Sequence, residues 1–399
     1  MSPMLLDELL NIDKVAVLEL DHVVSPLQSE SPLEHRLASL TWLSRYLAAE
    51  RKFSKITVFE QRATVGGVWN HTPLNVIEET FTIPRMQPSK SPDTALWTPS
   101  CSNPQFVSPV YDLLETNVPH HLMNYSDQCF PKSSSLFPKH AVVKNYLQQY
   151  AESLKSMLSL GTQVHKVSRC VDLDGRRRWQ LEALDLKTRV RRTEVYDAVL
   201  VANGHYNDPF IPNIKGLEDF NRVHPGTVSH SKLYRRPDQY TGKKVIVVGH
   251  SASGLDLSAQ IATVCKRPVV VSEKSSAAKS MENRPGIKMV PEIAEFLPDQ
   301  RAVLLSSGEI ETDIDAVVFC TGYFYSFPFF DSTDLALSSA GSWVKGLYEH
   351  ILYINDPTLA FLGIPQRIVP FPVAEAQAGF VARIWADRLP VPTKLAMLA

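Results

Sequence analysis

The residues that could do chemistry begin with a glycine-containing loop after an apolar strand. The β-branched run 244–248 is followed by the run GHSASG, from Gly249 to Gly254. Its spacing, G-x-S-x-x-G, is that of a dinucleotide-binding loop in which serine replaces the middle glycine. The first glycine would make the tight turn, the last would let the next helix pack on the strand, and the diphosphate would lie over the helix N-terminus. We predict that Gly249, Ser251, Ser253 and Gly254 bind a nucleotide.

The next strand carries residues that could choose between the two nicotinamide cofactors. Val269 begins this strand 20 residues after Gly249, as a β-α-β unit requires. The hydroxyl of Ser272 and the ammonium of Lys274 could receive a ribose 2′-phosphate, which favours NADPH. Glu273, between them, favours NADH instead. We predict NADPH.

The same loop permits a different chemistry. G-x-S-x-S is similar to the nucleophile turn of an α/β-hydrolase, with Ser251 as the nucleophile and Asp315 and His350 available as acid and base. The fifth position should be glycine to allow the sharp turn, and Ser253 occupies it here. A hydrolase therefore ranks below the two functions that the rest of the sequence indicates.

A second group of residues could bind another dinucleotide. Glu60 closes the apolar run 55–59, where an acidic residue would bind a ribose. Gly66, Gly67 and Trp69 follow it; paired glycines let the backbone approach a diphosphate, and tryptophan supplies a flat wall. A structural Gly-Gly turn followed by a core tryptophan would give the same pattern.

Apolar runs place both groups of residues on parallel sheets. Runs 14–18, 55–59 and 244–248 are short and β-branched, as buried parallel strands are. Two further runs share one plan, Asp-Ala-Val followed by an apolar strand, and they end at Gly204 and at Thr321-Gly322. We predict an α/β protein with duplicated Rossmann-like units, and helices over 141–151 and about 374–389.

Composition excludes several classes of partner. Forty-one basic and 42 acidic residues give a net charge of −1, which argues against nucleic acid. The five cysteines are scattered without a C-x-x-C pair, which argues against a metal site and indicates a reducing compartment. No apolar run approaches the ~18 residues of a membrane span, and the N-terminus lacks signal-peptide features. We expect a cytoplasmic protein that acts on a small molecule; its oligomeric state is open.

From about Arg51 to Pro392 the sequence resembles the flavin-containing monooxygenases. The family signature is F-x-G-x-x-x-H-x-x-x-Y/F, and this chain matches it at three positions and departs from it at the first. The matching positions are Gly226, His230 and Tyr234, and His224 stands in place of the opening aromatic residue. The runs 203–212 and 321–323 are similar to the family's linker and second glycine turn. The run 370–377 is similar to its fungal branch.

The resemblance implies two Rossmann-like domains, with the NADPH domain (209–317) inserted into the FAD domain (1–208 and 318–399). It implies that NADPH reduces FAD and that dioxygen adds to the flavin. The resulting C4a-hydroperoxyflavin would oxygenate a nitrogen or sulfur centre, as in fungal secondary metabolism. The family's asparagine beside the flavin and NADP⁺ would be Asn117, whose amide could donate to the peroxide. A turn-capping asparagine is the alternative.

The first strand departs from the family pattern. It should run into G-x-G-x-x-G, but Glu19 and Asp21 follow it, and no glycine occurs between Met1 and Val65. Glu60 lies 41 residues after Glu19, whereas the expected spacing is roughly 20. Side chains over about 19–46 would hold the backbone off the FAD diphosphate, and the two carboxylates would repel it. Three explanations are open: a retained intron or faulty gene model, a homologue with impaired FAD binding, or an alternative FAD site.

Overall fold

The computed structural model describes residues 11–19, 40–73, 81–98, 101–274, 285–331, 341–366 and 368–398. Asp21 and most of the atypical stretch 19–46 therefore lie outside the described residues. No helix within these ranges is long and apolar enough to cross a membrane.

The helices follow the apolar periodicity of the sequence. They are α1 (Leu40–Glu50), α2 (His140–Ala151), α3 (Leu217–Val223), α4 (Ala252–Ile261), α5 (Pro370–Trp385) and α6 (Lys394–Leu398). Helix α2 is confirmed to within a residue. Helix α5 begins and ends four residues earlier than predicted, because proline fits the first helical turn, where its missing N–H costs nothing.

The strands fall into two parallel sheets and several small antiparallel ones. They are β1 (Lys14–Glu19), β2 (Lys55–Glu60), β3 (Leu96–Thr98), β4 (Cys101–Gln105), β5 (Leu158–Leu160), β6 (Thr162–Val171), β7 (Arg177–Asp185), β8 (Arg191–Tyr196), β9 (Ala198–Ala202), β10 (Asp208–Pro209), β11 (Val228–His230), β12 (Val245–Val248), β13 (Val269–Glu273), β14 (Ile287–Pro291), β15 (Ile293–Leu297), β16 (Ala302–Leu305), β17 (Ile310–Glu311), β18 (Ala316–Phe319), β19 (Tyr323–Phe324), β20 (Leu347–Tyr348), β21 (Leu352–Tyr353) and β22 (Leu359–Phe361).

The first parallel sheet is built on β1. Its order is β20-β21-β22-β9-β1-β2-β5, and β22, β9, β1, β2 and β5 run parallel to one another. Alternate side chains of β1 face opposite cores: Val15 and Val17 pack in the cluster that contains the helices, and Ala16 and Leu18 pack toward the sheet β6-β7-β8. This two-sided burial explains why the strand is apolar throughout.

The second parallel sheet carries the predicted nucleotide loop. Its order is β11-β18-β12-β13-β14, all parallel, and helix α4 follows β12 directly. These strands lie between β9 and β20 in the chain, so the second unit is inserted into the first, and the predicted fold class is confirmed. Strand β18 spans the predicted boundary at 317, so the inserted unit extends at least to Phe319.

Two short strands join the sheets. Strand β10 leads into the second unit and β19 leads out of it, and they pair antiparallel through Asp208 with Phe324 and Pro209 with Tyr323. The chain crosses from one unit to the other after β9 and after β18. Gly204 and Gly322, the two glycines of the shared strand plan, lie at these crossings. The crossings are therefore held together by main-chain hydrogen bonds.

Arg235 joins the two units from inside the core. It is 0% exposed, and its guanidinium donates to four backbone carbonyls. The acceptors are Thr72 at 2.7 Å, Ser108 at 2.5 Å, Lys232 at 3.0 Å and Tyr234 at 2.6 Å. Because Thr72 and Ser108 belong to the first unit, one side chain satisfies carbonyls from both units.

Replacing Arg235 should destabilise the protein strongly. In Arg235→Leu the buried carbonyls lose their donors, and we expect a loss of about 3 kcal/mol in the free energy of unfolding. The neighbouring Arg236 has a half-exposed side chain, and Arg236→Leu should cost about 0.5 kcal/mol or less. Denaturant titration of both variants measures the difference, and equal losses would contradict this role for Arg235.

Candidate functional site

The turn after β12 brings two backbone segments closer than any side chain would permit. A Cβ on Gly254 would lie 1.9 Å from the carbonyl oxygen of Gly249. A Cβ on Gly249, whose φ is 98°, would lie 2.7 Å from the carbonyl oxygen of Cys320 at the end of β18. Both glycines are therefore required, in the roles that the sequence assigns to the first and last glycine of the loop.

The N-terminus of α4 opens at this turn. Ser251 is exposed at the N-cap position, and its side chain makes no capping hydrogen bond. Ser253 is half-buried and is the second residue of the helix. Unsatisfied N–H groups and the helix dipole make such an end suitable for a diphosphate.

The end of β13 shows which residues could contact a ribose. Ser272 is 2% exposed and its hydroxyl donates to the carbonyl of Pro291 at 3.1 Å, so it does not face a 2′-phosphate in this conformation. Glu273 lies 3.7 Å from His250 of the glycine turn. Lys274 is exposed. The predicted 2′-phosphate contact of Ser272 is therefore wrong in this conformation, and that of Lys274 stays a prediction.

The hydrolase hypothesis is wrong. Asp315 precedes β18 and bonds to the amide of Lys244 at 2.8 Å, at the amino edge of the sheet. Ser251 follows the carboxyl end of β12, so the length of the strand separates the two side chains. His350 lies in the other sheet's hairpin, between β20 and β21. The three residues do not form a triad.

The second group of residues lies at the carboxyl end of β2. Glu60 is 1% exposed and accepts from the amide of Arg62 at 2.6 Å. Gly66 and Gly67 have φ of 117° and 50°, and a 3-10 turn runs from Gly67 to Trp69. Trp69 is 1% exposed, so its indole is part of the core. The glycines thus form the left-handed turn expected of them, while the tryptophan packs as a structural residue.

Asn117 is half-buried in the segment that leads to the 3-10 turn 120–122. The preceding Thr116 donates from its amide to Pro138 at 2.9 Å, and from its hydroxyl to the carbonyl of Val118 at 2.9 Å. The side chain of Thr116 therefore closes the local turn. The catalytic role of Asn117 stays a prediction.

The signature histidine connects to the second glycine turn. His230 Nδ1 accepts from the amide of Lys232 at 3.1 Å, which leaves the proton on Nε2, and Nε2 donates to the carbonyl of Gly322 at 3.1 Å. Complete burial lowers the pKa of His230 to about 3, so the ring is neutral. The hydroxyl of Thr321 donates to the carbonyl of Phe210 at 2.5 Å. These bonds hold Thr321 and Gly322 against the linkers.

His224 fills the place of the signature's first aromatic residue. Its ring packs 4.9 Å from that of Phe220, and Nε2 donates to the carbonyl of Pro298 at 2.8 Å. An aromatic packing role is therefore kept, and a hydrogen bond is added.

Four hydrogen-bonded side chains connect the signature to the nucleotide helix: Tyr234 and Tyr111 are buried, and Gln260 and Asp256 are half-buried. Tyr234 donates to Gln260 at 2.9 Å, and Gln260 donates to Asp256 at 3.0 Å. Tyr111, from the first unit, donates a short hydrogen bond to the same carboxylate. Burial raises the pKa of Asp256 and also raises that of Tyr111 well above its usual value. Helix α4 is thus fixed to the first unit and to the signature.

The comparisons with known proteins agree with this geometry. A family model described as flavin-binding monooxygenase-like matches residues 89–286 and 284–399. The chain belongs to this family. Its members are FAD- and NADPH-dependent monooxygenases, which confirms the predicted enzyme class and cofactors at the level of the family.

Individual relatives cover most of the chain. It is 32% identical over 392 residues to flavin-containing monooxygenase FMO GS-OX-like 4 of Arabidopsis thaliana, across 94% of this chain and 80% of that protein. It is 31% identical over 368 residues to the thiol-specific monooxygenase of Saccharomyces cerevisiae, across 87% and 76%. The structure of S-allyl-L-cysteine S-oxygenase from Allium sativum matches with a TM-score of 0.76 and 27% identity, across 96% and 79%.

The two cofactors of a flavin-binding monooxygenase fit this chain unequally. The close packing at Gly249 and Gly254, which leaves no room for a Cβ, brings the N-terminus of α4 to the end of β12 and so suits the NADPH diphosphate. For FAD, Glu60 and the Gly66-Gly67 turn are in place, whereas the stretch that should carry the glycine loop has no glycine and lies outside the described residues.

Sequence reasoning missed the residues that position the site. Tyr111, Asp256, Gln260 and Arg235 carry no motif, and their roles arise from contacts between distant segments. One signal was available for Asp256: it is a charged residue two positions after Gly254, in a helix whose other residues are mostly apolar.

Substituting the last glycine of the loop should impair NADPH binding. In Gly254→Ala the new methyl group would collide with the Gly249 carbonyl, so the turn or the start of α4 must shift. We expect the dissociation constant for NADPH to rise at least about tenfold, measured by fluorescence titration, with circular dichroism checking the fold. Gly379→Ala in helix α5, where the new methyl group would lie at an ordinary 3.6 Å from the ring of Tyr46, is the control and should change it by less than about threefold. Unchanged binding by Gly254→Ala would contradict the assigned site.

The neutral His230 makes stability depend on pH. Its folded pKa of about 3 lies below the usual ~6.5, so the unfolded chain binds the extra proton. The contribution to stability is complete above pH ~6.5 and is lost as the pH falls toward 3. Between pH 7.5 and pH 5 the wild type should lose up to about 2 kcal/mol more than His230→Asn. Denaturant titrations at both values test this, and parallel losses in the two proteins would disprove it.

Proposed function

We propose that this chain is an NADPH- and FAD-dependent monooxygenase that uses dioxygen to oxygenate a nitrogen or sulfur centre of a small molecule. The glycine turn at 249–254 supports the proposal most strongly, because its two glycines allow the close backbone approach that brings the N-terminus of α4 to the end of β12, where a diphosphate could bind. The network from Tyr234 to Tyr111 supports it further, because it fixes the NADPH helix against the unit that carries Glu60 and Gly66.

The residues have separate tasks in this proposal. Bound FAD, reduced by NADPH, supplies the activation of dioxygen. Ser251 and the free N–H groups of α4 bind the NADPH diphosphate, and Lys274 contacts the 2′-phosphate. Glu60 binds the FAD ribose, and the amide of Asn117 donates a hydrogen bond beside the flavin. Gly204 and Gly322 shape the crossings between the two units.

Within this proposal we favour sulfur over nitrogen as the target, because the similar proteins include an S-allyl-L-cysteine S-oxygenase and a thiol-specific monooxygenase. We propose a cytoplasmic location, since the scattered cysteines suit a reducing compartment. A role in secondary metabolism follows from the fungal resemblance.

One observation favours a second candidate function. The absence of glycine before Val65 favours a homologue with impaired FAD binding that still binds NADPH. The two candidates differ in one property, which is whether the chain holds flavin.

The function can be tested with the purified full chain. We expect a yellow protein, or one that becomes yellow with added FAD, which oxidises NADPH with equal oxygen consumption when a soft thiol or thioether such as S-allyl-L-cysteine is present. NADH should be the poorer reductant, because Lys274 has no phosphate to contact. A colourless protein that binds NADPH but takes up no FAD would support the impaired homologue instead.

A further inference from the structure

A group of basic side chains surrounds the Gly66-Gly67 turn. Lys144 of helix α2 lies beside it, since its Cγ would be 3.8 Å from a Cβ placed on Gly66. Arg62 precedes the turn. Its guanidinium donates to the carbonyl of Phe106 at 2.8 Å and lies over the face of the Phe106 ring. The two cations are close enough that Arg62, after burial, is a cause of a lowered pKa at Lys144.

Two histidines extend the same group. The rings of His71 and His140 stack with centroids 5.1 Å apart. Burial is the main cause that lowers the pKa of both, to about 4 for His140, and the charge of Lys144 contributes at each. Asp112 contacts His71 at 2.7 Å and Arg236 at 3.4 Å, and Glu60 accepts from the amide of Arg62 at 2.6 Å. Because the lowered pKa values favour the neutral rings, the positive charge of this group is that of Lys144 and Arg62.

Lys144 lacks the partner that a half-buried cation normally has. Among the residues that the structure describes, no carboxylate forms an ion pair with it, although Lys155, after the end of α2, pairs with Glu152. Removing an ammonium from water without an opposing charge is unfavourable. An anion bound at the turn would remove this cost.

We propose that Lys144, with Arg62 behind it, is the cationic contact for the diphosphate of FAD at the Gly66-Gly67 turn. The inference rests on the proposed function and explains how FAD could be held without the glycine loop. Paired glycines let the diphosphate approach the backbone, and Lys144 stands at the same turn with an unmatched charge. Charge-assisted hydrogen bonds to phosphate are strong enough to offset missing backbone contacts.

The test compares flavins with and without the diphosphate. FAD and riboflavin are titrated against the flavin-free full chain, and binding is followed by flavin fluorescence. Lys144→Met keeps the methylene packing and removes the charge, so the dissociation constant for FAD should rise about tenfold while that for riboflavin stays unchanged. Lys144→Arg should restore most of the FAD affinity. Lys155→Met, an exposed position after the same helix, is the matched control and should bind both flavins as the wild type does.

The outcomes separate this inference from the proposed function. Equal FAD affinity in wild type and Lys144→Met would overturn the inference alone, and so would an equal loss for riboflavin, because that points to packing and not to phosphate. A wild-type chain that binds NADPH but neither flavin would overturn the proposed function, and the inference with it.

Discussion

The close approach of two backbone segments at Gly249 and Gly254 is the constraint on which the rest of this site depends. A dinucleotide diphosphate needs open N–H groups at the end of a helix, and the helix can reach the strand only where no Cβ intervenes. The 1.9 Å between a notional Cβ and a carbonyl oxygen shows how little space is left. Strand β18 must also end at this turn, and the bond from His230 to Gly322 holds the chain immediately after it.

The first sheet would have to hold the diphosphate of FAD in another way. Its parallel strands, the acid Glu60 at the end of β2 and the left-handed glycine turn match the pattern of a dinucleotide unit, but the stretch after β1 has no glycine. Backbone N–H groups and cations are the two means by which proteins hold phosphate. In our proposal, the cation Lys144 beside Gly66 takes the place of the backbone N–H groups of a glycine loop. The hydrogen bonds of Arg235 and Asp256 to residues of the first unit then hold the two units together.

Much of the fold could be predicted from the sequence, because buried parallel strands are continuous apolar runs that end in loops. The strands at 14, 55, 198, 245, 269 and 316 were accessible in this way. Positions set by distant contacts were not. The burial of the Ser272 hydroxyl depends on Pro291, and the separation of Asp315 from Ser251 depends on strand direction. The sequence indicated only weakly that Lys144 would be half-buried: it lies on the same helix face as the buried Leu147 and Ala151.

The central claim is that one chain holds both cofactors close enough for hydride transfer. Anaerobic mixing of the FAD-loaded full chain with NADPH tests it most directly, with the flavin's visible absorbance followed over time. We predict loss of that absorbance in a rapid, saturable phase, which Gly254→Ala slows and Gly379→Ala does not. Flavin that stays oxidised in the presence of bound NADPH would contradict it.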